Sequence, residues 1–105
     1  MTYCVGLLLN DGLVMLADTR TNAGVDYIST YSKLTVWEQP GERVIALMTA
    51  GNLSVSQNVV TMLNEGLPNG QGELVTMSSV HSMTEAARLV GRAIREVRRL
   101  DAPAL

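Results

Sequence analysis

Two stretches near the start of the chain are apolar at nearly every position, Tyr3-Cys4-Val5-Gly6-Leu7-Leu8-Leu9 and Leu13-Val14-Met15-Leu16-Ala17. Between them stands Asn10-Asp11-Gly12, whose Asp-Gly step favours positive φ, so the pattern predicts an antiparallel hairpin ending on Asp18. Two registers compete. A three-residue loop with Gly12 left-handed pairs Leu9 with Leu13 and Cys4 with Asp18, which sets Asp18 on the face of Thr2. A two-residue Asp11-Gly12 loop slips the pairing by one and turns Asp18 to the other face. Strands apolar on both faces are usually buried on both, so the hairpin implies cover from the rest of a larger domain or from an oligomer.

Residues 19–26 are polar and rich in turn formers, which predicts a connection rather than a core element. A short extended piece follows at 27–29. A second hairpin is predicted over 33–38 and 43–49, joined by Gln39-Pro40-Gly41-Glu42. Pro-Gly suits the centre of a type II turn, which pairs Gln39 with Glu42 and Lys33 with Met48. The period then changes to that of helices. The first helix is expected over 52–65, with Val55, Val59, Met62 and Leu63 along one stripe and Gly66 as its stop. A loop follows at 67–72, then an unassigned stretch at 74–80. The second helix opens on a capping box, Ser82-Met83-Thr84-Glu85. Its apolar stripe is Ala86, Leu89, Val90, Ala93, Ile94 and Val97, and Pro103 lies beyond its end. Strands followed by helices predict an α+β class, with a helix pair on one face of an antiparallel sheet. Residues 1–105 read as a single, incomplete domain.

Composition narrows the function. The chain has 105 residues, 47% hydrophobic, with one Trp, three Tyr and no Phe, so Leu, Val, Met and Ala must do the packing. The net charge of −2 gives no reason to expect nucleic acid or an anionic membrane as partner. One cysteine excludes an internal disulfide framework and a cysteine-rich zinc site, and no paired metal ligands or phosphate loop are present. No cofactor is expected. Cys4, within an apolar run, reads as a buried inert thiol. The start has no basic n-region, its apolar run breaks at Asn10, and no segment reaches bilayer length, so a soluble cytoplasmic protein is expected.

Several polar residues carry candidate chemistry. Thr2 directly follows the initiator, and a small second residue permits methionine removal. The new terminus would hold an α-amine and a hydroxyl on one residue. An α-amine titrates near ~8, so its free-base fraction at neutral pH can take the hydroxyl proton, and base and nucleophile share a residue. Lys33 is the chain's one lysine. As a plain strand-start residue it would snorkel to water; beside the Thr2 hydroxyl its charge would lower the nucleophile's pKa. Asp18 is then either a turn former or the counter-ion that orients Lys33. Gly51 lies between a strand and a helix start, either as a tight turn or as a backbone donor to an oxyanion. Arg88, Arg92, Arg95 and Arg99 share a helix face, with Glu96 placed to pair with Arg92, which reads as a solvated face or a subunit contact. His81 stands without partners and reads as a loop residue.

Thr2, Ala-Asp-Thr-Arg-Thr-Asn-Ala-Gly at 17–24, Lys33 and Thr-Ala-Gly at 49–51 together resemble the N-terminal half of a proteasome-type peptidase. The resemblance is closest to the bacterial proteasome-related group known as Anbu, the ancestral β subunit, whose sequences begin much like Met-Thr-Tyr-Cys-Val-Gly. It implies the four-layer αββα N-terminal-nucleophile hydrolase fold, and it favours the register that sets Asp18 on the face of Thr2. It makes Thr2 the nucleophile of a threonine peptidase, with Asp18 and Lys33 as its supporting acid and lysine and Gly51 as the oxyanion-hole glycine. Asn22 stands where related subunits usually carry threonine, and takes the backbone substrate-binding role. The implied partners are peptide or unfolded-protein substrates and further copies of the chain in a homo-oligomer, with an ATP-dependent unfoldase left open. The alternative is a non-catalytic subunit of a ring or filament. While Met1 remains, the Thr2 nitrogen is an amide and cannot act as a base.

Overall fold

The computed structural model describes the backbone of residues 3–24, 27–30 and 32–101, and the side chains of 3–19 and 32–100. The chain forms two compact units, Met1–Leu53 and Ser54–Leu105. Among the described residues, three antiparallel hairpins come first, and two helices follow with a short ladder between them, in keeping with an α+β class; the strands pair as separate two-stranded ladders rather than in the single antiparallel sheet expected.

The first unit holds three hairpins, β1 (Cys4–Leu9) with β2 (Gly12–Ala17), β3 (Arg20–Gly24) with β4 (Tyr27–Thr30), and β5 (Leu34–Gln39) with β6 (Arg43–Met48). The first takes neither expected register. Leu9 pairs with Gly12 and Cys4 with Ala17, so the loop is Asn10-Asp11, and the Asp18 N–H donates to the Tyr3 carbonyl at 3.1 Å. Asp18 therefore falls opposite Tyr3 rather than Cys4. Asn and Asp make this turn themselves, since no non-glycine residue described has positive φ and both side chains favour turn positions.

The second hairpin is likewise shifted by one. Glu42 donates to the Gln39 carbonyl at 2.9 Å with Gly41 at φ 75, the positive φ that a type II turn needs at its second central residue. The ladder begins one residue later, at Gln39 with Arg43. Lys33 accordingly faces Thr49, whose N–H donates to its carbonyl at 2.9 Å, and not Met48.

The expected polar connection is instead the β3–β4 hairpin. Its backbone groups pair with each other, and the register shift between Asn22 and Gly24 absorbs the unmatched residue.

In the second part of the chain, α1 (Leu53–Glu65) stops at Gly66, whose N–H returns to the Met62 carbonyl at 2.8 Å. Glycine is required there twice. Its φ is 104°, and a Cβ would come 3.1 Å from Leu74 Cβ and 3.2 Å from Thr76 Cγ2. Part of the expected 67–72 loop and the unassigned stretch form a two-residue ladder, β7 (Leu67–Pro68) with β8 (Leu74–Val75). The Asn69 side-chain oxygen Oδ1 holds the connection by accepting from Gln71 N–H at 2.8 Å and Glu73 N–H at 3.0 Å.

Helix α2 (Met83–Asp101) starts where the capping box predicts. Ser82 Oγ accepts from Glu85 N–H at 3.1 Å, while the Glu85 carboxylate takes the N–H of His81, one residue earlier than the box expects. Ala86, Leu89, Ala93 and Val97 are buried, with Val59, Leu63, Leu67, Met77 and Val80 also in the core. Ile94 departs from the expected stripe and is 39% exposed. Glu96 pairs with Arg99 three residues on rather than with Arg92, both spacings being helix neighbours. Arg92 donates instead to the Pro68 carbonyl.

Candidate active site

The first unit places two of the sequence-predicted residues in contact. Asp18 lies just past the end of β2 and Lys33 just before β5, and Lys33 Nζ donates to Asp18 Oδ1 at 2.7 Å. Lys33 is only 5% exposed and is the one buried polar residue among those described. A buried ammonium is costly unless it is paired and hydrogen-bonded, and Asp18, 32% exposed, supplies the counter-charge. This ammonium holds the Asp18 carboxyl below the usual carboxylate range; partial desolvation opposes the shift, and the Tyr3 N–H reinforces it. That N–H reaches Asp18 Oδ1 at 3.4 Å.

The same corner of the unit carries the turn that leads to Gly51. Thr49 is bound through its N–H to the Lys33 carbonyl at 2.9 Å, and its own carbonyl accepts from the Cys4 thiol at 3.7 Å. Cys4 is exposed, not the buried thiol that its apolar neighbours suggest. Gly51 has φ 99, and no atom lies within 4 Å of where a Cβ would stand. Glycine is thus required there by backbone conformation alone.

Thr2 lies outside the described residues. Asn22 belongs to β3, opposite Ile28. Asp18 and Lys33 are thus the predicted pair that meets, with Gly51 two residues along the chain from Lys33's backbone partner. Sequence reasoning missed the contacts of Tyr3 and Cys4. The Tyr3 contact follows from the register of β1–β2, which a one-residue slip changes, whereas the Cys4 contact joins residues of two different hairpins and no pattern within either one announces it.

An open groove of about 760 Å³ runs along α2 between Arg88, Arg92 and Arg95, and none of the predicted site residues lines it. It pairs no nucleophile with a base, so the Asp18–Lys33 corner is the better candidate despite the groove's size. Among the described residues no group of three or more His, Cys, Asp or Glu could hold a metal ion, and no helix is long and apolar enough to cross a membrane.

No protein-family model matches the chain, and no curated protein does. Solved structures do match, and they make it a proteasome-related, β-subunit-like chain. Within that class it is similar to the Anbu proteins, in agreement with the resemblance carried by its motifs. It is 48% identical to the Anbu (Gly-1) mutant from Hyphomicrobium sp. strain MC1, with a TM-score of 0.82 over 98% of this chain and 43% of that one. For Anbu from Yersinia bercovieri the identity is 41% and the TM-score 0.82, over 97% of this chain and 42% of that one. For the Anbu complex from Pseudomonas aeruginosa, which forms a helical assembly, they are 40% and 0.78, over 96% and 40%. The chain thus spans less than half the length of these relatives, consistent with the N-terminal half of a subunit.

Proposed function

We propose that this chain is the nucleophile-bearing part of a threonine-type peptidase with the four-layer N-terminal-nucleophile fold, one incomplete domain of a cytoplasmic homo-oligomer. The observation that carries the reading is the 2.7 Å contact between Asp18 and the 5%-exposed Lys33. A structural lysine at a strand start has no need to be buried, whereas a lysine that tunes a nucleophile must be held by a counter-ion.

After Met1 is removed, Thr2 Oγ attacks the substrate carbonyl and the Thr2 α-amine takes the hydroxyl proton. The amine then passes that proton to the departing amine as the C–N bond breaks, leaving an ester on Thr2. Water, deprotonated by the same amine, attacks the ester and releases the acid, and Oγ regains its proton. Lys33 lowers the cost of the developing alkoxide, Asp18 orients Lys33, and the Gly51 N–H stabilises the oxyanion. Asn22, within β3, aligns the peptide through its backbone.

The test is a time course with peptide substrates on full-length protein, wild type beside Thr2→Ala, with intact-mass measurement. Wild type should appear without Met1, hydrolyse peptides and add one threonine-directed electrophile at Thr2. Active protein that quantitatively retains Met1 overturns the mechanism. The helical assembly of the Pseudomonas relative favours a second reading, a non-catalytic assembly subunit, which predicts an unreactive Thr2 and unchanged assembly after Thr2→Ala.

A further inference from the structure

An oxyanion donor works only if its N–H is already aimed when charge develops. Packing does not aim Gly51, since it is exposed and has open space where a side chain would stand. Its direction must be set through the peptides of the turn that carries it, Thr49-Ala50-Gly51.

Hydrogen bonds hold that turn at Thr49 through the peptide groups on both sides of its Cα. The N–H donates to the Lys33 carbonyl at 2.9 Å, and the carbonyl accepts from Cys4 Sγ at 3.7 Å. Lys33 is joined to Asp18 at 2.7 Å, and Asp18 to the Tyr3 N–H at 3.4 Å. Tyr3 precedes Cys4, so the contacts close a circuit through Tyr3, Asp18, Lys33, Thr49 and Cys4. Cys4 is also two residues from Thr2 on the strand that carries the N-terminus.

We propose that Cys4 is a positioning residue whose thiol, by donating to the Thr49 carbonyl, sets the turn bearing Gly51 against the strand bearing the nucleophile. The inference rests on the reading of Gly51 as the oxyanion donor. It requires no reactivity of the thiol. A hydrogen-bond donor of similar size is what the position needs, so serine can serve and alanine cannot.

The experiment compares wild type, Cys4→Ala and Cys4→Ser as full-length protein. Amide hydrogen exchange is read at residues 49–51, and kcat and KM are measured with a peptide substrate. In Cys4→Ala, exchange at the Thr49 amide, which donates to the Lys33 carbonyl, should speed up about three- to tenfold as the turn loosens, the scale of one lost hydrogen bond. Its kcat should fall about ten- to a hundredfold with KM unchanged, as a misaimed donor weakens the transition state rather than substrate binding. Cys4→Ser should restore both to near wild type. Unchanged exchange in Cys4→Ala, or a Cys4→Ser variant as impaired as Cys4→Ala, overturns the proposal. Should wild type hydrolyse nothing, the peptidase reading fails, and the exchange measurement decides on the clamp by itself.

Discussion

The hairpins β1–β2 and β5–β6 are built to the same size, six residues in every strand, and they differ in what their faces carry. In β5–β6, Trp37 lies opposite Ile45, and Glu38 opposite Val44. Ile45 is 8% exposed while Val44 is 60% exposed, so one face is covered and the other meets water. In β1–β2 both faces are apolar and both are bare. Leu8 and its partner Leu13 are 85% and 62% exposed, and on the opposite face Val5 and Leu16 are 46% and 68% exposed. The outer face of β5–β6 still carries Val36 and Val44, 51% and 60% exposed, but beside the charged Glu38, and its inner face is covered. Neither strand of β1–β2 has a charged residue to set beside its bare apolar positions, so this hairpin depends on further polypeptide. The apolar pattern of β1–β2 is therefore information about a molecule larger than these residues.

The largest expected effect follows from those bare faces. Contiguous apolar surface of this kind marks an interface or aggregates. Residues 1–105 expressed alone should be associated, molten or insoluble by size-exclusion chromatography and thermal unfolding, and hydrolytically dead even without Met1. A monodisperse monomer with a cooperative transition would break the comparison, since β1–β2 would then need no cover. Next comes Lys33→Ala in full-length protein, which removes the charge at the junction of the two hairpins. Peptide hydrolysis should fall by about 10² to 10³ in kcat, the range for loss of one group that stabilises developing charge. Activity within twofold of wild type would reduce Lys33 to a structural role.

The two faces of β5–β6 offer a smaller and sharper contrast, read by urea unfolding of full-length protein. Ile45→Ala should cost about 2–4 kcal/mol, whereas Val44→Ala should stay within about 0.5 kcal/mol. Equal costs would show that Val44 is covered in the full protein and that β5–β6 is as unfinished as β1–β2. The smallest effect concerns pH. The folded pKa of Asp18 lies below its unfolded value, so its contribution to stability is complete above the unfolded value near ~3.9 and is lost as pH falls through the folded one. Asp18→Asn should flatten that acid limb of the stability profile, and an unflattened limb in this variant would show that the Lys33 pairing contributes nothing to stability.

Element types were legible in the sequence where local chemistry acts alone. The Ser82 cap, the Gly66 stop and the buried stripe from Ala86 to Val97 each depend on residues within a turn or two. Pairing was less legible. The first hairpin takes neither of its two expected registers and β5–β6 is shifted by one from expectation, because a turn such as Asn10-Asp11-Gly12 or Gln39-Pro40-Gly41-Glu42 supports loops of more than one length. The β3–β4 hairpin was hidden for a related reason, since Asn22, Ala23 and Gly24 spell a turn although the backbone there is paired. The contact of Asp18 with Lys33 was nevertheless anticipated, because the motifs pick out these two residues; the register that the resemblance favours, Cys4 opposite Asp18, is not the one formed, since Cys4 pairs with Ala17. Cys4 was misjudged because apolar neighbours predict burial only when the strand is covered.

The local closure of these hairpins also bears on how the chain is made. Leu9 pairs with Gly12 and Cys4 with Ala17, all within a short loop, and hairpins of this kind close in about 1–10 μs. Synthesis proceeds at about 5–20 residues per second. The β1–β2 hairpin can therefore form soon after it emerges, while the chain needs about 4–18 s more at that rate to reach Leu105. A lone two-stranded hairpin is marginal in water, so throughout that interval β1–β2 forms and reopens, and its two apolar faces wait for the later polypeptide that covers them.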